Sequence, residues 1–121
     1  MPDRHDDDVV RRFAEACRAP DIAAVSALLD PGAVAVCDGG GAVPAPALTH
    51  GAEDVARLVT VLLGGREETE LTLESVNGRT GLALRRAGRA VAVASVVVAD
   101  AKVAVVWIVL NPAKLSGWHR R

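Results

Sequence analysis

The sequence predicts an α+β domain with helices in its first half and an antiparallel sheet in its second. Before residue 65, apolar residues recur mostly at helical spacing, whereas from Glu70 onward they alternate or run continuously between short turn signals. Strands joined by short turns pair as antiparallel neighbours, and helices segregated from them form a separate layer. At 121 residues the chain is predicted to be one domain over 1–121, with an ordered core at about 8–116 and tails at 1–5 and 117–121.

Three helices are predicted in the first half. The first follows the acidic run at 6–8, because carboxylates favour a helix N-terminus. The second can be capped by Asp21 and is stopped by the segment Asp30-Pro31-Gly32, and the third runs from Gly51 to the glycines at 64–65. The apolar positions that predict them are Val10, Phe13, Ala14 and Cys17 in the first, Ile22, Val25 and Leu29 in the second, and Val55, Leu58, Val59 and Leu62 in the third.

Six strands are predicted, and turn residues separate most of them. Asn77-Gly78 and Ala87-Gly88 are turn signals, and Asn111-Pro112 ends the last strand because proline cannot donate to a strand ladder. The predicted strands are Ala33–Asp38, a short one near Leu48, Glu70–Glu74, about 81–86, Ala90–Ala99 and Val103–Leu110.

The last two predicted strands are apolar on both faces. An antiparallel sheet with one face in water alternates apolar and polar residues, and AVAVASVVVA and VAVVWIVL do not. Three short helices can cover one face of such a sheet but hardly two. We therefore expect the outer face to be buried against a second copy of the chain in a homodimer.

Composition and charge exclude several classes of function. A net charge of −1 gives no basic surface for direct nucleic-acid binding, and no apolar run is long enough for a membrane span. With no signal-peptide pattern at the N-terminus, a cytoplasmic location is expected. Cys17 and Cys37 are predicted to be buried free thiols, and His5, His50 and His119 lack metal-ligand spacing, so no metal or cofactor is expected.

The stretch AVCDGGGAV at 35–43 raises three possibilities. A phosphate-binding loop is excluded by context, because the glycines do not lead into a helix and no Lys-Ser/Thr follows them. Asp38 could instead be a catalytic carboxylate, alone or paired with His50, although His50 is more typical of a solvent-facing residue before a helix. The third possibility is a sharp bend that the glycines permit and Asp38 steadies.

Three motifs carry a resemblance to a known family: DGGGA at 38–42, VNGRTGL at 76–82 and NPAKL at 111–115. Because these motifs occur in this order within the predicted series of helices and strands, the chain resembles a SnoaL-like domain of the nuclear transport factor two-like superfamily, which includes ketosteroid isomerase. Over about 8–116 it is most similar to the SnoaL-like C-terminal extension of extracytoplasmic-function sigma factors. Ala42 stands where those extensions usually have a basic residue, and Ala113 where they usually have Asp. The length leaves no room for the helical domains that bind promoter and polymerase, so a stand-alone relative or an excised extension is expected.

The resemblance implies a cone, in which a strongly bent antiparallel sheet wraps around the three helices and leaves a pocket in its mouth. Residues expected to line that pocket or bind an apolar small molecule are Phe13, Cys37, Asp38, Leu58 and Trp107. Residues expected to contact a sigma-factor or polymerase partner are Lys114 and Leu115. The resulting prediction is a non-catalytic regulatory or small-molecule-binding domain.

An enzyme is the alternative prediction. By resemblance, Asp38 stands where ketosteroid isomerase has its general base, so an isomerase, cyclase or hydrolase could use it, with or without His50. The isomerase mechanism also needs an oxyanion hole, formed by a tyrosine and a protonated aspartate. This chain has no tyrosine, which argues against that chemistry.

Overall fold

The computed structural model describes residues 4–41 and 45–119, without the side chain of Arg4. It contains three helices and six strands in the predicted order, which confirms the α+β class. The helices are α1 (Arg4–Arg18), α2 (Ile22–Leu28) and α3 (Ala52–Leu63). The strands are β1 (Leu29–Asp38), β2 (Leu48–His50), β3 (Thr69–Val76), β4 (Arg79–Arg86), β5 (Arg89–Ala99) and β6 (Lys102–Val109). Two 3₁₀ turns follow β6, at Pro112–Lys114 and Ser116–Trp118.

The strands form one open sheet in the order β2-β1-β6-β5-β4-β3. Strands β3 to β6 pair with their chain neighbours as antiparallel hairpins, whereas β1 pairs with β6 in parallel. The sheet is therefore mixed, which corrects the prediction of a wholly antiparallel one. Turn residues predict antiparallel hairpins between strands that follow each other in the chain. The connection from β1 to β6 includes most of the chain, and a connection of that length allows the two strands to pair in parallel or antiparallel.

Two element boundaries differ from the prediction. Strand β1 begins at Leu29 instead of Ala33, because its pairing with β6 resumes after an irregularity between Leu29 and Val34 that contains Pro31-Gly32. Helix α1 begins at Arg4, so residues 4 and 5, expected in a tail, are helical. The Thr80 hydroxyl donates to Asp7 Oδ1 at 2.6 Å and ties the start of α1 to the sheet.

The main core lies between the helices and the inner face of the sheet. Its fully buried members include Phe13 of α1, Val59 of α3, Leu82 of β4 and Ile108 of β6. Side chains alternate between the two faces of a strand, so neighbours such as Cys37 and Asp38 point to opposite sides. This alternation decides which predicted site residues can meet.

The outer face of the sheet is divided into two halves. One half is covered by residues 111–119, called here the C-terminal segment. Leu115 of this segment forms a buried cluster with Val76, Ala83, Ala90 and Val93 of the sheet, and Val109 and Trp118 pack against that cluster. The other half, called here the outer stripe, is not covered by the described residues. It consists of Val34, Val36, Leu48, Val97, Val105 and Trp107.

Candidate functional site

Asp38 steadies the bend that follows β1. Its Oδ1 accepts a hydrogen bond from the Gly40 N–H at 3.1 Å, and its Oδ2 accepts one from Lys114 Nζ at 2.7 Å. Gly40 and Gly41 have positive φ angles of 60° and 79°, and a Cβ added at Gly40 would collide with the Asn111 side chain. The glycines are therefore needed for both backbone conformation and close approach. Ala42, the last residue of the DGGGA motif, lies outside the described residues.

These contacts also set the charge state of Asp38. The hydrogen bond from Lys114 is the largest influence and lowers the pKa of the carboxyl below its ordinary value of 3.8. Burial, the next largest influence, opposes this change, while the Gly40 N–H and the Lys114 charge add to it. A general base works best with a pKa near the operating pH. Asp38 is thus an ionised structural carboxylate in this conformation, with its side chain 31% exposed.

The structure does not bring Asp38 and His50 together. Both project from the outer face, but His50 pairs with Val34, four residues before Asp38 on β1. At about 3.3 Å per residue, this spacing separates the two positions by about 13 Å along the sheet. His50 is exposed, as the solvent-facing interpretation predicts. The described geometry holds no Asp–His pair at these positions.

The five residues predicted to line a pocket fall on two sides of the sheet. Phe13 is fully buried in the main core, Cys37 is 8% exposed beside it, and Leu58 is partly buried against it. Asp38 and Trp107 lie on the outer face, where the Trp107 side chain is 52% exposed. These five side chains do not converge on one site. A single binding site could therefore include Phe13, Cys37 and Leu58, or Asp38 and Trp107, but not all five residues.

The two residues predicted to contact a partner belong to the C-terminal segment. Leu115 is 2% exposed and packs into the covered cluster of this chain. Lys114 forms the ion pair with Asp38, yet its side chain is 61% exposed. In this conformation Lys114 is available to a partner and Leu115 is not.

Sequence reasoning missed Arg85, which anchors the C-terminal segment from below. Arg85 is 4% exposed, and its Nε donates a hydrogen bond to the Trp118 carbonyl at 2.7 Å. Its Nη1 donates to Thr72 Oγ1 at 3.0 Å and to Glu74 Oε2 at 3.2 Å. The available signal was an arginine inside an apolar strand that follows a strand with two carboxylates on one face, Glu70 and Glu74, four residues apart. A buried guanidinium requires such partners.

His119 provides a second anchor for the C-terminal segment. Its Nδ1 accepts a hydrogen bond from the Ala90 N–H at 2.8 Å, so this geometry requires an unprotonated Nδ1. The Trp118 side chain is partly buried against the same cluster. Residues 117–119, expected in a tail, are therefore packed on the sheet, while 120–121 lie outside the described residues.

A shallow groove of about 390 Å³ runs along the outer face beside Trp107. Its middle is formed by the outward residues of β5 and β6, none of which is charged. These residues are Val93, Ser95, Val97, Val105, Trp107 and Val109. Asn77 and Arg79 close one end. The groove is suited mainly to apolar contact, with the Ser95 hydroxyl opposite Trp107 as the polar group in its middle.

The cysteines do not provide a nucleophile. Both are buried and unbridged, as predicted. Burial raises the pKa of Cys17 to about 12, only partly opposed by the charge of Arg18, and burial also raises the pKa of Cys37. A thiolate is the reactive form, so neither thiol is activated.

The described residues contain neither a group of side chains that could hold a metal ion nor a helix that could span a membrane. Within 4–41 and 45–119, no three His, Cys, Asp or Glu side chains are grouped so that they could hold a metal ion. Among the described helices, none combines the length and apolar character needed to cross a membrane.

No protein-family model and no curated protein matches the sequence, so the similarity to known proteins comes from solved structures. An NTF2-like protein from Mesorhizobium loti aligns with a TM-score of 0.64 and 20% identity, over 92% of this chain and 97% of that one. One from Burkholderia xenovorans aligns with a TM-score of 0.62 and 16% identity, over 97% of each chain. The chain has the NTF2-like fold. The superfamily resemblance in the sequence is therefore confirmed at the level of fold.

The NTF2-like domain is also similar to part of a sigma factor. The extracytoplasmic function sigma factor SigJ of Mycobacterium tuberculosis aligns with a TM-score of 0.69 and 28% identity. The alignment covers 95% of this chain and 45% of SigJ, so the chain spans less than half the length of that protein. The narrower resemblance to sigma-factor extensions agrees with this alignment.

Proposed function

We propose that this NTF2-like domain is a non-catalytic regulatory module that acts by binding, and that a second copy of the chain docks on its outer stripe. One observation carries the proposal: the stripe is an apolar surface that the described residues leave exposed. Leu48 is 65% exposed and Trp107 is 52% exposed, on adjoining parts of a four-strand surface. Contiguous exposed apolar patches on a folded domain mark interaction sites.

The chemistry of Asp38 supports a binding role over catalysis. Its two carboxylate oxygens are engaged by Gly40 and Lys114, and its lowered pKa opposes proton abstraction near neutrality. An enolate would also need an oxyanion hole, and the tyrosine that ketosteroid isomerase uses for it is missing from this sequence. The isomerase alternative would require Asp38 to leave both partners and turn to the inner face.

The composition of the stripe favours self-association. Its members on β1, β5 and β6 are valines around one tryptophan, and no charged side chain of these strands projects between them. A two-fold dimer places the same patch on both subunits, so a patch without charge is self-complementary. Trp107 lies near the middle, where an aromatic anchor contributes most to an interface.

The regulatory part of the proposal rests on similarity to SigJ. A sigma factor carries a domain of this fold, and the present chain spans 45% of that protein. We infer that the partner of the module is a sigma-factor or polymerase domain, and that it contacts Lys114 and the exposed residues of the C-terminal segment. The two buried free thiols fit a reducing compartment such as the cytoplasm.

Sedimentation velocity of the wild-type chain at tens of micromolar tests the docking proposal. We expect a dimer for the wild type and a monomer for Trp107→Glu, because the substitution places a charge at the centre of the stripe. Val61→Glu is the matched control, since Val61 is 61% exposed on α3, outside the stripe; this variant is expected to dimerise. A monomeric wild type, or a Trp107→Glu variant that still dimerises, would overturn the proposal.

A further inference from the structure

A second surface lies on the helix side of the sheet, away from the outer stripe. It is a cleft of about 480 Å³ between the end of α3, the turn at 66–69 and the hairpin of β4 and β5. Leu62, Leu84 and Val91 give it an apolar floor, and Val91 remains 39% exposed there. Ligand sites of small molecules are typically concave, apolar and of about this size (roughly 300–1,000 Å³).

Arginines stand at the rim of this cleft. Arg66 and Arg86 line it, and Arg89 pairs directly with Arg86 across the hairpin. Like charges at directly opposed positions of a hairpin are destabilising. Within the described part of the chain, the guanidinium groups of Arg86 and Arg89 have no hydrogen-bond or ion-pair partner. An arginine pair that has no partner among residues 4–41 and 45–119, and that lies beside an apolar cleft, is suited to bind an anion.

Arg66 is held in place before any ligand arrives. Its Nη2 donates to the Val61 carbonyl at 3.0 Å, which satisfies one of the carbonyls left open at the end of α3. The Thr69 hydroxyl closes the turn, donating to the Arg66 carbonyl at 2.7 Å and accepting from its N–H at 3.1 Å. Its other guanidinium N–H groups have no partner among the described residues, so they can donate to an anion.

The lining sets the charge of the ligand. Glu67 is the only acidic residue among those that line the cleft, so with Arg66 and Arg86 the lining carries one net positive charge. One positive charge suits a monoanion better than a phosphate dianion. Because the guanidinium fork matches a carboxylate with two parallel hydrogen bonds, a carboxylate is the preferred head group.

We propose that this cleft binds an amphipathic monocarboxylate, with its apolar tail on Leu62, Leu84 and Val91 and its carboxylate on Arg86. The adjacent Arg66 and Arg89 add attraction at the rim. This site gives a ligand class to the binding role proposed above and rests on that role. The dimer and the ligand site use different surfaces, so each can fail without the other.

Isothermal titration of the full chain with decanoate, below its micelle concentration, tests the site. We expect saturable binding with one site per chain and an affinity at least tenfold lower for Arg86→Gln. Arg12→Gln changes an exposed arginine of α1 that does not line the cleft, and it is expected to bind as the wild type does. Decanol, which has the tail without the charge, should bind at least tenfold more weakly than decanoate.

Several outcomes would overturn this assignment. They are no saturable heat with decanoate, equal affinity of Arg86→Gln and wild type, equal binding of decanol and decanoate, or displacement of decanoate by equimolar inorganic phosphate. The Trp107→Glu variant separates the two proposals. If it is monomeric and still binds decanoate, the ligand site stands apart from the docking surface; if the wild type dimerises and does not bind decanoate, only the ligand site fails.

Discussion

The covered and open halves of the outer sheet face have similar residues but different neighbours. Valine is the commonest residue in both halves, yet the C-terminal segment lies on only one of them. The position of the segment is set by its anchors: Lys114 reaches Asp38 at one end, and Arg85 holds the Trp118 carbonyl at the other. These polar contacts fix the segment on the covered half, where Leu115 and Trp118 also pack on the sheet.

This difference suggests separate tasks for the two halves. The covered half contributes to the stability of the single chain, because its apolar residues are buried within it. The open half contributes little to that stability and remains available to a partner. Substitutions in the two halves should therefore affect different measurements.

The largest effect on stability is expected for Arg85→Met. The substitution removes the hydrogen bonds that Arg85 donates to the Trp118 carbonyl, Thr72 and Glu74. Loss of one member of a buried ion pair lowers the free energy of unfolding by about 3 kcal/mol. Urea denaturation in the Trp107→Glu background measures it without a contribution from self-association. Arg79→Met, at the exposed first position of the same strand, is the control and should change the unfolding free energy by less than about 0.5 kcal/mol. Similar losses for both variants would argue against the anchoring role.

A smaller loss is expected for Leu115→Ala. Leu115 is 2% exposed in the covered cluster, and truncation of a buried leucine costs about 2 kcal/mol or more. Leu48→Ala makes the same change in the open half, where the side chain is 65% exposed, and should cost less than about 0.5 kcal/mol in the same background. Equal costs would show that the two halves do not differ as described.

The smallest effect is expected for Asp38→Asn, and it depends on pH. Because the pKa of Asp38 is lowered in the folded chain, the ionised carboxylate stabilises the fold above its ordinary value of 3.8, and this contribution is lost as the pH falls through the lowered pKa. The variant should have a lower urea midpoint than wild type near neutral pH, and the difference should shrink under acid conditions. Asp100→Asn, in the exposed turn after β5, is the matched control and should follow the wild type at each pH. A pH-independent difference for Asp38→Asn would contradict the ion pair with Lys114.

Much of the fold could be predicted because its signals are local. Helical spacing located α1 to α3, and turn residues such as Asn77-Gly78 located the hairpins. The parallel pairing of β1 with β6 was not predictable in this way, because no local pattern reports a pairing between distant strands. The face of Trp107 was also undetermined, since the register shifts in the pairing of β6 at Val103 and Val105 break the alternation on which such an inference depends.

The candidate site was harder to predict than the fold. The glycine bend after Asp38 was among the stated alternatives, and the strand alternation with Cys37 decides which way the carboxylate points. The partners of Asp38 depend on where Lys114 comes to lie, 76 residues later. Arg85 likewise acts on Trp118, 33 residues away. Such contacts depend on the tertiary structure, so they cannot be predicted from the spacing of residues in the sequence.

Acrylamide quenching of Trp107 fluorescence, as a function of protein concentration, tests the central claim most directly. In a Trp118→Phe background Trp107 is the only tryptophan, so the signal reports the open half itself. We predict strong quenching in dilute protein and protection with a blue-shifted emission at tens of micromolar, as a second copy covers the stripe. In the Trp107→Phe chain, Trp118 on the covered half should be quenched equally at every concentration. Quenching of Trp107 that does not change with concentration would contradict the account.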